Sequence, residues 1–198
     1  ATENTREALW DAMKRKEVYA TSGTRMTVRL FAGWNFTADD ARSRYVAEVG
    51  YAKGVPMGGD LPKASAGSKA PTFLVAAMKD AIGGNLDRIQ IVKGWIDKAG
   101  QPQEKIYDVA WGNARTRKPG KDGRLPAVGD TVDVARATWT NTIGDPELVG
   151  VWKDDTRLHI VNADTNDGEN RANVISLPTG VKIASVTLPS GLPHHLGA

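Results

Sequence analysis

Apolar and polar positions alternate along this chain in short extended runs that are separated by turn-forming residues. Between Leu86 and Asp97, Ile89 and Ile91 alternate with Arg88 and Gln90. That period of two is the signature of a strand with one face in a core and the other in water. Lys98 to Pro102 is turn-like, and Glu104 to Trp111 alternates again, with Ile106 and Val109 as inward side chains and a slip in register between them. The two runs predict a β-hairpin at the centre of an antiparallel domain. Arg25 to Phe31 predicts a further strand with Met26, Val28 and Leu30 inward. Thr72 to Met78 is an uninterrupted apolar run that suits a strand buried on both faces. Tyr45 to Tyr51 reads as a short strand, Thr131 to Trp139 as a strand returning to the sheet, and Glu147 to Trp152 as a short apolar piece. The Gly- and Pro-rich stretch Lys53 to Pro62 predicts a loop without regular structure. Gly112 to Pro126, polar and basic, predicts a mobile surface loop.

One helix is predicted, at the front. Asn4 and Glu7 stand at the spacing of a reciprocal cap, and Ala8, Leu9, Ala12 and Met13 then share a face. At about three turns it is too short to persist alone, so it must dock on something. Thr37 to Arg42 suits a single capped turn around Asp40. The fold class is therefore mainly β: an antiparallel β-sandwich preceded by one amphipathic helix. From Asp154 the texture changes, and residues 154–198 read as a divergent extension or an added hairpin.

Composition narrows the chemistry. The chain has 198 residues, no cysteine, three histidines and a net charge of +3, so disulfides and thiolate metal sites are excluded. No apolar run approaches the roughly 20 residues that span a bilayer, so no membrane partner is expected. The basic clusters Lys14 to Lys16 and Arg115 to Lys121 read as solvated surface, and no nucleic-acid partner is expected. His159 sits in an apolar run and reads as a packed residue. His194 and His195 lie by a Pro near the end and point apart as neighbours. Counting a calcium loop from Asp164 puts Ile175 where a bidentate Glu is required. Gly54 to Asp60 reads as a tight turn before it reads as an anion loop. No metal or catalytic residue is assigned in this chain. Trp10, Trp95 and Trp139 fall where burial accounts for them, which leaves Trp34 and Trp111, next to glycines, as an exposed pair that suits stacking on a glycan.

Four stretches carry a family resemblance: Glu3 to Gly23, Gly50-Tyr-Ala-Lys-Gly-Val-Pro-Met-Gly-Gly-Asp-Leu61, Leu86-Asp-Arg-Ile-Gln-Ile-Val-Lys-Gly-Trp95 and Thr138-Trp-Thr-Asn-Thr-Ile-Gly-Asp-Pro-Glu-Leu148. Together they resemble the C-terminal third of the bacterial family known as domain of unknown function 3604, over residues 1 to about 153. Its members look like metal-dependent hydrolases of the polymerase and histidinol phosphatase (PHP) superfamily. The resemblance implies that residues 1–23 are the last helix and the bridge of an absent αβ barrel, and that 24–153 form a β domain. It also implies that the divalent metal and its ligands belong to full-length relatives and not to this chain, which is expected to be silent as an enzyme in isolation. The expected partners are that barrel or, through exposed apolar faces, another copy of the chain. Thr21, Ser22, Thr24 and Arg25, at the exit of the helix, are then placed to border the barrel's metal centre and contact a phosphate-like oxyanion. The alternative function is a free-standing glycan-binding module using Trp34 and Trp111. Neither reading assigns a compartment; the periplasm follows only for a precursor that carries a signal peptide.

Overall fold

The computed structural model describes residues 1–64, 70–97 and 99–154, with the backbone of Ala172–Asn173 and Ser185–Thr187. In chain order the elements are α1 (Arg6–Lys14), β1 (Thr27–Gly33), a 3-10 turn (Asp40–Arg42), α2 (Val46–Lys53), β2 (Gly54–Pro56) and β3 (Asp60–Leu61). They continue with β4 (Thr72–Met78), β5 (Arg88–Ile96), β6 (Pro102–Trp111), β7 (Glu147–Lys153), β8 (Ala172–Asn173) and β9 (Ser185–Thr187). All pairings are antiparallel: a four-stranded sheet ordered β2-β1-β4-β7, a hairpin sheet β6-β5-β9, and the short pair β3-β8.

The four-stranded sheet is covered on both faces, because residues two apart point the same way. The row Val28, Ala77, Leu148 and the row Leu30, Val75, Gly150 face the β5–β6 hairpin, where Leu86, Ile89, Val109 and Ala110 complete the larger core. The alternate row, Phe31, Leu74 and Val151, meets Phe36, Val46 and Val49 in a second core. Two stacked β layers thus carry a helical layer on the far side, and β4 is buried on both faces as its unbroken apolar run requires. Gly150 sets the spacing of the β layers: a Cβ there would lie 2.9 Å from Val109 Cγ1.

Several expectations are corrected. Tyr45 to Tyr51 is no strand but most of α2, because Val46, Val49 and Gly50 recur at helical spacing and seat on Phe31. The Lys53 to Pro62 stretch contains β2 and β3, since Gly54 lets the backbone approach the Ala32 carbonyl, 2.3 Å from where a Cβ would stand. Thr131 to Trp139 does not rejoin a sheet. The Asp133 carboxylate takes the amide of Arg136 at 3.1 Å and its guanidinium at 2.7 Å, turning the chain locally in competition with a ladder, and Val134 is left 86% exposed. In β6 the slip falls at Val109, which is skipped between the pairs Ile89–Ala110 and Gln90–Asp108. This bulge places Val109 inward and turns Ile106 to solvent. The helix cap is Thr5, whose Oγ1 accepts the Ala8 amide, and not Asn4.

Candidate functional site

The segment that was singled out for chemistry, Thr21 to Arg25, lies at one end of the four-stranded sheet beside the loop after β4. Thr21 and Ser22 are exposed, and Gly23 turns the chain at φ +82°. Arg25 donates its amide to Asp80 Oδ2 at 2.7 Å, and Ile82 donates to Asp80 Oδ1 at 2.9 Å. The Arg25 amide and then that of Ile82 hold the Asp80 carboxyl below its ordinary range. The Thr24 hydroxyl oxygen is buried without a hydrogen-bond partner. In the segment, two exposed hydroxyls and one enclosed hydroxyl thus precede an Arg25 whose amide is tied to the Asp80 carboxylate, and the charge of that carboxylate opposes a bound anion.

Trp34 and Trp111 do not form an exposed pair. Each is half-buried, and each indole N–H is committed to the backbone, Trp34 to Pro62 O and Trp111 to Arg117 O, both at 3.0 Å. Trp34 packs with Ala32, Leu61, Val55 and Phe73. Trp10, expected to be buried, is instead 62% exposed.

That exposure belongs to a larger surface. Along α1 and the bridge after it, Leu9, Trp10, Met13, Val18 and Tyr19 are 46%, 62%, 55%, 48% and 49% exposed, while Ala12 is buried. Polar and backbone contacts hold α1 at its C-terminal end. Gly58, at φ +87°, lies so close to the helix end that a Cβ would stand 2.4 Å from Arg15 O. The Gly54 to Asp60 turn therefore meets the carbonyl end of a helix, which does not suit an anion. Tyr51 donates its hydroxyl to Glu17, a bond that raises the phenol's pKa, with burial adding to it. Tyr19 donates to Met26 O at 3.1 Å.

Sequence reasoning missed a buried polar knot that joins three loops. Asp87, 3% exposed, receives the guanidinium groups of Arg117 and Arg88. Arg117 donates further to Gly112 O at 3.0 Å and Pro126 O at 2.9 Å, and Arg88 to Leu125 O and Pro126 O, both at 2.9 Å. Alongside, Asn85 Nδ2 reaches Ile143 O at 3.0 Å, Asn113 Oδ1 accepts the Gly144 amide at 2.7 Å, and Asp145 Oδ2 accepts that of Asn113 at 3.0 Å. A Cβ on Gly144 would stand 2.6 Å from Leu86 O. These groups are spent on one another, which is what a buried polar network needs. The Gly112 to Pro126 loop, read as mobile, is pinned by this knot at both ends.

Residues 1–159 match a family described as a protein of unknown function, DUF3604. The chain belongs to that family. No curated protein and no solved structure matches it. Two of the DUF3604 motifs, Leu86 to Trp95 and Thr138 to Leu148, supply Asp87, Arg88, Asn141, Gly144 and Asp145 to the knot and its surroundings. A third, Gly50 to Leu61, supplies Gly50 beneath Phe31 and Gly58 against α1. These segments of the DUF3604 chain thus have physical roles in packing and loop closure.

Among the described residues no three His, Cys, Asp or Glu side chains converge as a metal site. His159, His194, His195 and the Asp164 to Glu169 cluster lie outside the described residues. No helix of the described residues is long and apolar enough to cross a membrane.

Proposed function

We propose that this DUF3604 chain is the non-catalytic C-terminal β domain of a PHP-like metal-dependent, phosphoesterase-like hydrolase, and that it packs against the catalytic barrel through α1 and the bridge. One observation carries the reading: α1 turns its large apolar side chains to solvent, with Trp10 62% and Met13 55% exposed. A helix of nine residues gains its stability from packing an apolar face. Covering the exposed part of Trp10 alone contributes roughly 2 kcal/mol. Thr21 to Arg25, which follow directly, then lie at the rim of the covered surface.

Two measurements test this. The purified chain, supplied with manganese or zinc and phosphate or sulfate monoesters, is expected to give no turnover above the metal alone; robust turnover overturns the non-catalytic assignment. The barrel domain of a full-length relative, titrated into the chain by calorimetry, is expected to bind it and to lose binding with Trp10→Asp. Equal binding by the variant removes α1 from the interface. A dimer of the chain alone that dissociates in Trp10→Asp transfers the surface to self-association.

A further inference from the structure

The charge of this protein is concentrated in one loop. Residues 112–126 hold five of the 26 Lys and Arg residues and one of the 23 acids, so the loop carries +4 and the rest of the chain −1. Arg117 is folded inward onto Asp87, while Arg115, Lys118, Lys121 and Arg124 are exposed. An unpinned connection lets like charges move apart. Here the hydrogen bonds of Arg117 and Arg88 to Gly112, Leu125 and Pro126 fix both ends. A tight turn, Gly123 N to Gly120 O at 3.0 Å with Gly123 at φ +74°, and the Asp122 bond to the Arg124 amide at 3.1 Å, fix the tip. Four exposed cations are thereby carried on one loop that is fixed at both ends and at its tip, where a multivalent anion can meet them together.

The chemistry of the loop selects among anions. Residues 118–124 are all exposed, so the loop is convex and encloses no small ion. The loop itself carries no aromatic side chain, and Trp111, bonded to the Arg117 carbonyl, is half-buried with its N–H spent, which offers little platform for base stacking. Its one large apolar side chain, Leu125, is 6% exposed, which leaves no anchor for a protein interface. We propose that this loop is a binding platform for a linear, hydrophilic polyanion that carries repeated phosphate or sulfate groups. Arg115 and Arg124 offer forked donors to the tetrahedral oxyanions, and Lys118 and Lys121 act as point charges.

The experiment titrates the full chain with heparin, with inorganic polyphosphate, with polyglutamate and with duplex DNA at several salt concentrations. Its arms separate sulfate from phosphate, and binding is independent of any hydrolytic role. Heparin or polyphosphate is expected to bind with a log K against log salt slope of about −3, as for four neutralised charges. The variant R115Q/K118Q/K121Q/R124Q, in surface positions that leave the melting temperature unchanged, is expected to bind roughly tenfold more weakly or worse, with a flattened slope. Equal binding by the variant overturns the proposal. Polyglutamate bound as tightly as the oxyanion polymers, or DNA bound more tightly than either, overturns the ligand class.

Discussion

The two helices are nearly the same length and behave in opposite ways. In α1 an amphipathic pattern ends in exposure: Leu9, Trp10 and Met13 face solvent, and the helix is tied down by its end. In α2 there is little amphipathic pattern, yet Gly50 is buried, and Val46 and Val49 pack with Phe31 and Leu74 in the second core. Helical periodicity therefore reports which side chains can be covered, and contact geometry decides which are. In α2 the deciding residue is a glycine, which carries no hydrophobic signal. In α1 the deciding feature is a surface that this chain leaves open.

The sharpest way to break the contrast is Gly50→Ala. On a free helix this change stabilises by about 1 kcal/mol. Here the added Cβ falls 2.3 to 2.5 Å from three atoms of the Phe31 ring, and Phe31, 2% exposed with Tyr51 edge-on at 5.0 Å, has little room to move. A loss of about 2–3 kcal/mol is expected, read as a lower urea midpoint at unchanged slope. A gain would mean that α2 does not press on β1.

The same contrast separates what the sequence discloses from what it hides. β1 and β5 are legible because one face of each alternates cleanly, and β4 because Phe73 to Met78, a short run with no polar residue, suits a strand buried on both sides. α2 is hidden because its Tyr-Val-Ala-Glu-Val-Gly-Tyr stretch is short and β-branched, and its helical register rests on Gly50. Ile106 is misplaced by a bulge whose position local alternation does not specify. The Asp87 knot joins residues up to 59 positions apart, as in the Asn85–Gly144 bond, and polar residues in three loops carry no periodicity. Of the candidate site, Leu9 and Met13 are legible on the apolar face of α1, but Trp10 reads as buried, and the exposure of all three is a property of the surroundings.

A smaller effect is expected where α2 is clamped. Asp40 Oδ1 accepts from Lys53 Nζ at 2.6 Å, and Oδ2 from the Thr37 amide at 2.8 Å and its hydroxyl at 3.1 Å. The Lys53 bond, more than the Thr37 contacts, keeps the carboxyl below its ordinary range against the opposing effect of burial. A depressed folded-state value stabilises the fold above the unfolded carboxyl pKa of about 4, and the contribution is lost as the pH falls from there through the folded value. Asp40→Asn is expected to cost about 1 kcal/mol at pH 7, Lys53 being 45% exposed. The gap between wild type and variant in urea midpoint should narrow as the pH falls below about 4.

The smallest effect is expected from the largest exposed side chain of α1. Trp10→Ser removes a ring that is 62% in solvent, while the Thr5 cap and the Gly58 contact that hold the helix stay in place. The change in unfolding free energy should stay within about 0.5 kcal/mol, well below the cost of one methyl group added at Gly50. Measured at two protein concentrations, the result bears directly on the open surface. A loss near 2 kcal/mol that grows with concentration would mean that a second copy covers α1, because only an associated state ties stability to concentration. A loss of that size at every concentration would mean that the ring is covered within the chain, and the two helices would then differ in sequence but not in circumstance.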